Sequence, residues 1–312
     1  MSAQAIGIDV GGTKIAAGLV GLASGRVDAI RRVQTPVAGG GEAVLAACVE
    51  LANALDGAAT FDLGIAVPEL VGLERQIQSA YQFDWREIDV RSAFAGREIT
   101  IASDVRAAAP AEARFGAGAG ASSMLYVSVG TGISSTFVLD GTPWPGARGH
   151  ALVLSSGDLA TIDSGTGAVV RSALEDWASG PALVNRYQQA SGRTGVTTRD
   201  VLELASQGDP TAAPLVENAA DALGSAIGQA ANVLDPELVV IGGGLGLAGG
   251  AWWERIVASA RRSIWSEQTR DLPIVPASLG TDAGLIGAAM ETRSARARLK
   301  QQLLVGDDRR HL

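Results

Sequence analysis

The stretch Ile8-Asp9-Val10-Gly11-Gly12-Thr13-Lys14-Ile15-Ala16-Ala17-Gly18-Leu19-Val20 (8–20) decides the fold. Ile6 to Val10 reads as a short buried strand and Lys14 to Val20 as a second, with Gly11, Gly12 and Thr13 as the turn between them. Two readings of that turn stand. It is an ordinary hairpin with Gly-Gly at its tip, or its glycines let backbone N–H groups approach a phosphate chain, with Lys14 beside them. In the second reading Asp9, at the strand end, holds a Mg²⁺ through a water. It is not a Walker A loop, because Lys14 is followed by Ile15 and a strand rather than by Ser/Thr and a helix.

Moving outward, the same pattern returns. YVSVGTGISSTFVL (126–139) is again strand, Gly/Thr turn, strand, with Gly130, Thr131 and Gly132 in the turn. The spacing of one small domain between the copies predicts duplicated halves facing each other across a cleft. LDPELVVIGGGLG (234–246) runs a strand into Gly242, Gly243 and Gly244. Bare backbone there suits a flat purine or a ribose, and equally an ordinary strand-to-helix turn. ASDVRAAAPAEARFG (102–116) puts Asp104 where a strand ends and a helix begins. Asp104 there is a helix N-cap, a role Ser103 can also fill, or a general base for phosphoryl transfer, which needs one carboxylate to orient the nucleophile.

Between these motifs, Arg26 to Val33 and Phe61 to Val67 read as strands, and Gly41 to Leu55 and Val105 to Phe115 as helices, the last with Pro110 inside it. GAGAGAS (116–122) marks the passage between domains. The remainder reads as mostly helical, with Ala212–Leu234, Trp252–Ile264 and Asp282–Arg293 as helices and a polar tail from about Ser294. The domains expected are 1–118, completed by a helix at about 282–297, then 119–281, then a tail at 298–312.

Composition excludes several classes. The chain has 312 residues, 47% hydrophobic and 19% charged, an ordinary globular balance. A net charge of -8 argues against nucleic acid as the main partner. A single cysteine, Cys48, and two histidines, His150 and His311, leave little for a disulfide, a cysteine cage or a histidine metal site. The strand pattern by Ala5 leaves no room for a signal peptide, and no apolar run is read as membrane-spanning. A cytoplasmic enzyme with no membrane contact is the class expected.

Taken together the four motifs resemble the ROK family of sugar kinases and related repressors, from about Ile6 to Ala289. GIAVPELV (64–71) looks like that family's Val-Pro-Gly substrate loop. GARG (146–149) and LEDWASGPAL (174–183) match its second-domain landmarks, and GTDAGLIGAAM (280–290) its closing helix. The resemblance implies an α/β, two-domain actin-like ATPase (ribonuclease H-like) fold with an interdomain cleft. It implies ATP and Mg²⁺, a sugar-like acceptor, Asp104 as the base, and a homodimer. Repressor members carry a helix-turn-helix before the first strand; here Ile6 already begins that strand.

The chain departs from the family at its zinc and acceptor positions. Thr166, Ala168 and Ala173 stand at the three zinc cysteines and Ser156 at the zinc histidine, so no zinc is expected, with Val169 and Val170 supplying apolar packing instead. Of the acceptor positions, Ser103 replaces an Asn, Val153 and Ser156 replace a Glu and a His, Tyr81-Gln82 replace an Asn-Leu pair, and only Glu175 is kept. A polar pocket rejects ligands that leave its groups unpaired, so simple glucose is expected to bind poorly. Glu69, in place of the loop's Gly, reads either as an anion that pairs with an ammonium or takes hydroxyl protons, or as a solvent-facing loop residue. The expected reaction is transfer of the ATP γ-phosphoryl to a hydroxymethyl group of an aminohexose such as 3-amino-3-deoxyglucose, or of a C7 cyclitol of the valiolone type. The alternatives are a glucokinase or N-acetylhexosamine kinase with an altered pocket, a non-catalytic sugar- or nucleotide-binding regulator, and an acetate-type kinase.

Overall fold

The computed structural model describes residues 4–58, 60–94, 97–162 and 167–293. The chain divides into two compact units, 1–115 with 145–151 and 282–312, and 116–144 with 152–281. The expected tail and the end of the closing helix lie outside the described residues.

The first unit is built on a five-stranded sheet ordered β3-β2-β1-β4-β5. These strands are β1 Gln4–Val10, β2 Lys14–Gly21, β3 Val27–Gln34, β4 Leu63–Val67 and β5 Ile99–Ser103. β1, β2 and β3 pair antiparallel, and β1, β4 and β5 run parallel. The period of two along each strand gives the sheet two different faces. Ile6, Ile8, Val10, Leu63, Ile65, Val67, Ile99 and Ile101 form one core with Val44, Leu45, Cys48 and Leu51 of helix α1, Gly40–Leu55. The other face is lined by small residues. A Cβ on Gly7 would overlap the Leu285 carbonyl, and one on Gly64 the Ala288 carbonyl. These two glycines, paired across β1 and β4, let the helical run 283–293 lie directly on the sheet. Helix α2, Asp104–Phe115, packs there too, where Ala66, Ala102, Ala107 and Ala288 cluster.

The second unit has its own sheet, ordered β12-β11-β6-β7-β8. Its strands are β6 Ser123–Val129, β7 Ile133–Leu139, β8 Thr142–Pro143, β11 Leu238–Gly242 and β12 Ile274–Pro276. A separate hairpin joins β9, Asp158–Ile162, to β10, Val169–Ala173. The helices are α3 Leu174–Ala178, α4 Gly180–Ser191, α5 Thr198–Ser206, α6 Ala212–Leu234 and α7 Gly250–Ser263. Leu125, Val127, Val239 and Ile241 meet Leu215, Leu223, Ile227 and Ile256 in one core.

Four expectations change. Residues 145–151, read as a second-domain landmark, group with the first unit. Gly149 holds φ +87° there, where a Cβ would stand 2.7 Å from the Val71 carbonyl oxygen, and the His150 ring lies 2.5 Å from the Gln78 side-chain oxygen. The hairpin β9–β10 occupies a stretch read as helical. Among its described side chains Val170 packs against the core; Val169 is 71% exposed because alternate strand residues point apart, so it does not supply apolar packing. Thr166 lies outside the described residues. Finally, Val37–Leu55 is long and apolar enough to cross a membrane by length and composition alone, because alanine and valine raise its mean hydropathy. Its buried residues belong to the first unit's core.

Candidate active site

In the first unit the Gly11–Lys14 turn is fixed from behind. The Gly11 N–H donates to the Lys14 carbonyl at 3.0 Å. The hydroxyl of buried Thr35 donates to the Gly11 carbonyl at 2.7 Å, and its N–H to the Thr13 carbonyl at 3.0 Å. The side chains of Thr13 and Lys14 stay exposed. A turn whose carbonyls are occupied behind it presents an exposed cation and a bare Gly-Gly backbone in front.

Asp9 lies on the small-residue face of β1, two positions from Gly7. Its carboxyl is pushed up to about 7, first by burial and then by the Asp104 carboxylate, with Lys14 opposing and Asp282 adding to the rise. Asp104 is the first residue of α2, and the Val105 N–H donates to its Oδ1 at 2.6 Å. Asp104 therefore stands at the start of α2, and its charge is felt at Asp9. The helix N-terminus favours its negative charge.

Ser103 is buried, and its hydroxyl accepts from Arg106 Nε at 3.1 Å. Arg106 also donates to the Val71 carbonyl. Burial, then the charge of Arg75, hold the Arg106 guanidinium below its ordinary value, while Glu291 opposes them. Arg75 is tied to Glu291 at 2.5 Å. The sequence reading passed over Arg106, although a cation in the first turn of a helix, against the helix dipole, was a usable signal.

Glu69 departs from both of its expected roles. It is only 3% exposed. Its Oε2 accepts from the Ser79 hydroxyl at 2.5 Å and the Tyr81 N–H at 2.7 Å. Its Oε1 accepts from the Gln82 N–H at 2.7 Å and the Phe83 N–H at 3.1 Å. A carboxylate with four donors of its own chain has no capacity left for an ammonium on a ligand.

In the second unit two glycine motifs come together. The Gly130 N–H donates to the Gly132 carbonyl at 2.8 Å, closing the turn. The Leu245 and Gly246 N–H groups both donate to the Val129 carbonyl, at 3.0 and 2.9 Å. Gly243, at φ +82°, lies against the Val129 backbone, where a Cβ would stand 2.6 Å from the Val129 nitrogen. The Gly242–Gly244 turn thus sits beside the Gly130–Gly132 turn, and Thr131 is exposed. Glu175, at the start of α3, accepts the Ile133 N–H on its Oε2 at 2.7 Å. The same oxygen would be 2.7 Å from a Cβ on Gly132. The acceptor residue expected from the sequence therefore also buttresses the turn. Val153 is 41% exposed, and Ser156 is exposed at the end of a short 3-10 turn, with Ser155 the buried member.

The residues present suit a divalent cation shared with phosphates. Asp9 is a half-buried carboxylate near those of Asp104 and Asp282, with Lys14 opposing their charge. Among the described residues no group of three or more metal-ligating side chains forms a protein cage. Mg²⁺ carried on phosphates uses one or two carboxylates and needs no such cage.

The ROK family model matches residues 5–294. The chain is 29% identical to the glucokinase of Streptomyces coelicolor, over 91% of this chain and 96% of that protein. It is 29% identical to the kanosamine kinase of Amycolatopsis mediterranei, over 72% of this chain and 75% of that protein. Among solved structures it resembles a ROK family glucokinase from Streptomyces griseus in complex with glucose and AMPPNP. The TM-score is 0.78 at 28% identity, covering 92% of this chain and 98% of that one.

Proposed function

This chain belongs to the ROK family, and we propose that it is an ATP-dependent kinase that phosphorylates a hydroxymethyl group on a sugar or sugar-like ring. The observation that carries this reading is the placement of Asp9 near the end of β1, beside the Gly11–Lys14 turn with its exposed lysine, with the Asp104 carboxylate near enough to act on it. Phosphoryl transfer asks for phosphate positioning, charge neutralisation and one carboxylate at the nucleophile. Gly11, Gly12, Thr13 and Lys14 hold phosphates, as do Gly130, Thr131 and Gly132. Gly242, Gly243 and Gly244 offer bare backbone to the adenosine. Asp9 would hold Mg²⁺. When bound, Mg²⁺ neutralises charge on the transferring phosphoryl group. Asp104 accepts the proton of the acceptor hydroxyl, the freed oxygen forms a bond to the γ-phosphorus, and ADP leaves with the bond it breaks.

For the acceptor, the support has shifted. Glu69 does not select an ammonium, so an aminohexose now rests on the likeness to the kanosamine kinase and on the altered positions Ser103, Val153 and Ser156. A C7 cyclitol fits the same losses without needing a carboxylate partner. Ordinary glucose phosphorylation is the second reading, favoured by the likeness to the Streptomyces glucokinases. The enzyme is proposed to work in the cytoplasm as a homodimer, without zinc. ADP release with Mg-ATP across glucose, N-acetylhexosamines, amino-deoxyglucoses and C7 cyclitols tests the reading. Turnover on an amino sugar or cyclitol supports it. Faster turnover on glucose moves the acceptor to the second reading, and no acceptor-dependent turnover on any of these overturns the kinase.

A further inference from the structure

The Glu69 carboxylate is spent on one short segment, Ser79 to Phe83. Charge-assisted hydrogen bonds are roughly twice as strong as neutral ones, and here four of them converge on one group. Just downstream the chain is anchored again. Phe83 and Trp85 are buried in the first unit's core with ring centroids 5.6 Å apart, and Trp85 Nε1 donates to the Gly41 carbonyl at 2.7 Å. Along this segment Ala80, Tyr81, Gln82 and Asp84 are exposed, and Asp84 is paired with Arg86.

The Gln82 side chain is aimed at the phosphate turn. Its Oε1 lies 2.8 Å, and its Cδ 3.4 Å, from where a Cβ on Gly12 would be. Its carboxamide makes no hydrogen bond among the described residues. A carboxamide can turn over to present either its oxygen or its two N–H donors. An uncommitted amide over bare Gly12, carried on a backbone pinned by Glu69, has one evident use: donating to an anion bound at that turn.

We propose that Gln82 is a phosphate-contacting residue and Glu69 its positioning residue. Glu69 fixes the 79–83 segment so that the Gln82 carboxamide donates to the terminal phosphate of a nucleotide held at Gly11–Lys14. This rests on the reading of that turn as a phosphate site. It replaces the expected role of Glu69 as an acceptor contact with a role on the donor side.

Calorimetry with Mg-ATP, beside steady-state turnover on whichever acceptor the wild type uses, tests it. Gln82→Ala, at an exposed position, is expected to weaken Mg-ATP binding or lower kcat/KM for ATP by about tenfold or more, as for a hydrogen bond to a charged group. KM for the acceptor should stay within about twofold. Glu69→Gln keeps the shape but turns two acceptor sites into donors facing N–H groups. It should give the same ATP-side loss, and Glu69→Gln with Gln82→Ala together should be no worse than the poorer single variant, as expected for residues acting through one contact. Wild-type ATP constants in Gln82→Ala, a change confined to the acceptor KM, or losses that multiply in the double variant would overturn the proposal. A wild type that binds Mg-ATP but turns over no acceptor would instead sink the kinase reading, and the binding comparison would still decide the role of Gln82.

Discussion

Asp9 and Gly284 meet with no room between them: a Cβ on Gly284 would stand 2.7 Å from Asp9 Cγ and 2.8 Å from its Oδ2. Gly284 lies in the helical run 283–293, so an alanine there improves the helix by roughly 1 kcal/mol. Yet Gly284→Ala must push the Asp9 carboxylate off its position. The expected result is a kcat lowered by about tenfold or more with thermal stability little changed. Kinetics and a melting curve on the same preparation check this, and a fully active Gly284→Ala would mean that Asp9 need not be held where it is.

Glu175 separates two roles by which Michaelis constant moves. Its Oε2 is bonded to the Ile133 N–H at 2.7 Å, behind the Gly130–Gly132 turn. Glu175→Ala leaves that N–H without its acceptor, a loss of about 1–3 kcal/mol where it is buried. If the buttress dominates, KM for ATP rises more than KM for the acceptor. The opposite order would return Glu175 to acceptor recognition.

The buried pair Asp56–Arg97 sets the acid limit of the first unit. Asp56 Oδ2 accepts from Arg97 at 2.8 Å, from the Thr60 N–H at 2.7 Å and from the Phe61 N–H at 2.9 Å. Burial alone would raise its carboxyl, but the hydrogen bonds from Phe61, Arg97 and Thr60 win and hold it at about 2. A carboxyl depressed in the folded state stabilises the protein above its unfolded value, near 3.8. That contribution is lost as pH falls through about 2. Melting temperatures between pH 5 and pH 2 should therefore fall more steeply in the wild type than in Asp56→Asn. Asp56→Ala, which strands the Arg97 charge, should cost about 3–5 kcal/mol at pH 7.

Gly64→Ala tests how the closing helix is seated. Its Cβ would overlap the Ala288 carbonyl, and a backbone atom cannot move aside as a flexible side chain can. Overpacking of this kind costs about 1–3 kcal/mol, sometimes more. A denaturant melt that leaves Gly64→Ala as stable as the wild type would show that helix and sheet can separate without loss.

What was legible in the sequence was local. The turns at Gly11–Lys14 and Gly130–Gly132, and Asp104 at a strand-to-helix junction, announce themselves because glycine, threonine and aspartate do something specific within a few residues. The role of Glu69 was not legible. Three of its partners are backbone N–H groups twelve to fourteen residues away, and a backbone donor leaves no trace in residue identity. Gly7 and Gly64 read as ordinary strand residues, because their reason is a helix more than two hundred residues later. Val169 looked apolar enough to be core, but one residue of register decides which face a strand residue takes.

Asp104 is proposed as the base of the phosphoryl transfer, a role separable from nucleotide binding. The most direct measurement is acceptor-dependent ADP release by the wild type and Asp104→Asn, with Mg-ATP affinity measured for both. The expected result is a kcat lower by about 10²–10⁴-fold in Asp104→Asn, the range for loss of a general base, with ATP affinity retained within a few-fold. An Asp104→Asn enzyme that turns over its acceptor at the wild-type rate would contradict it.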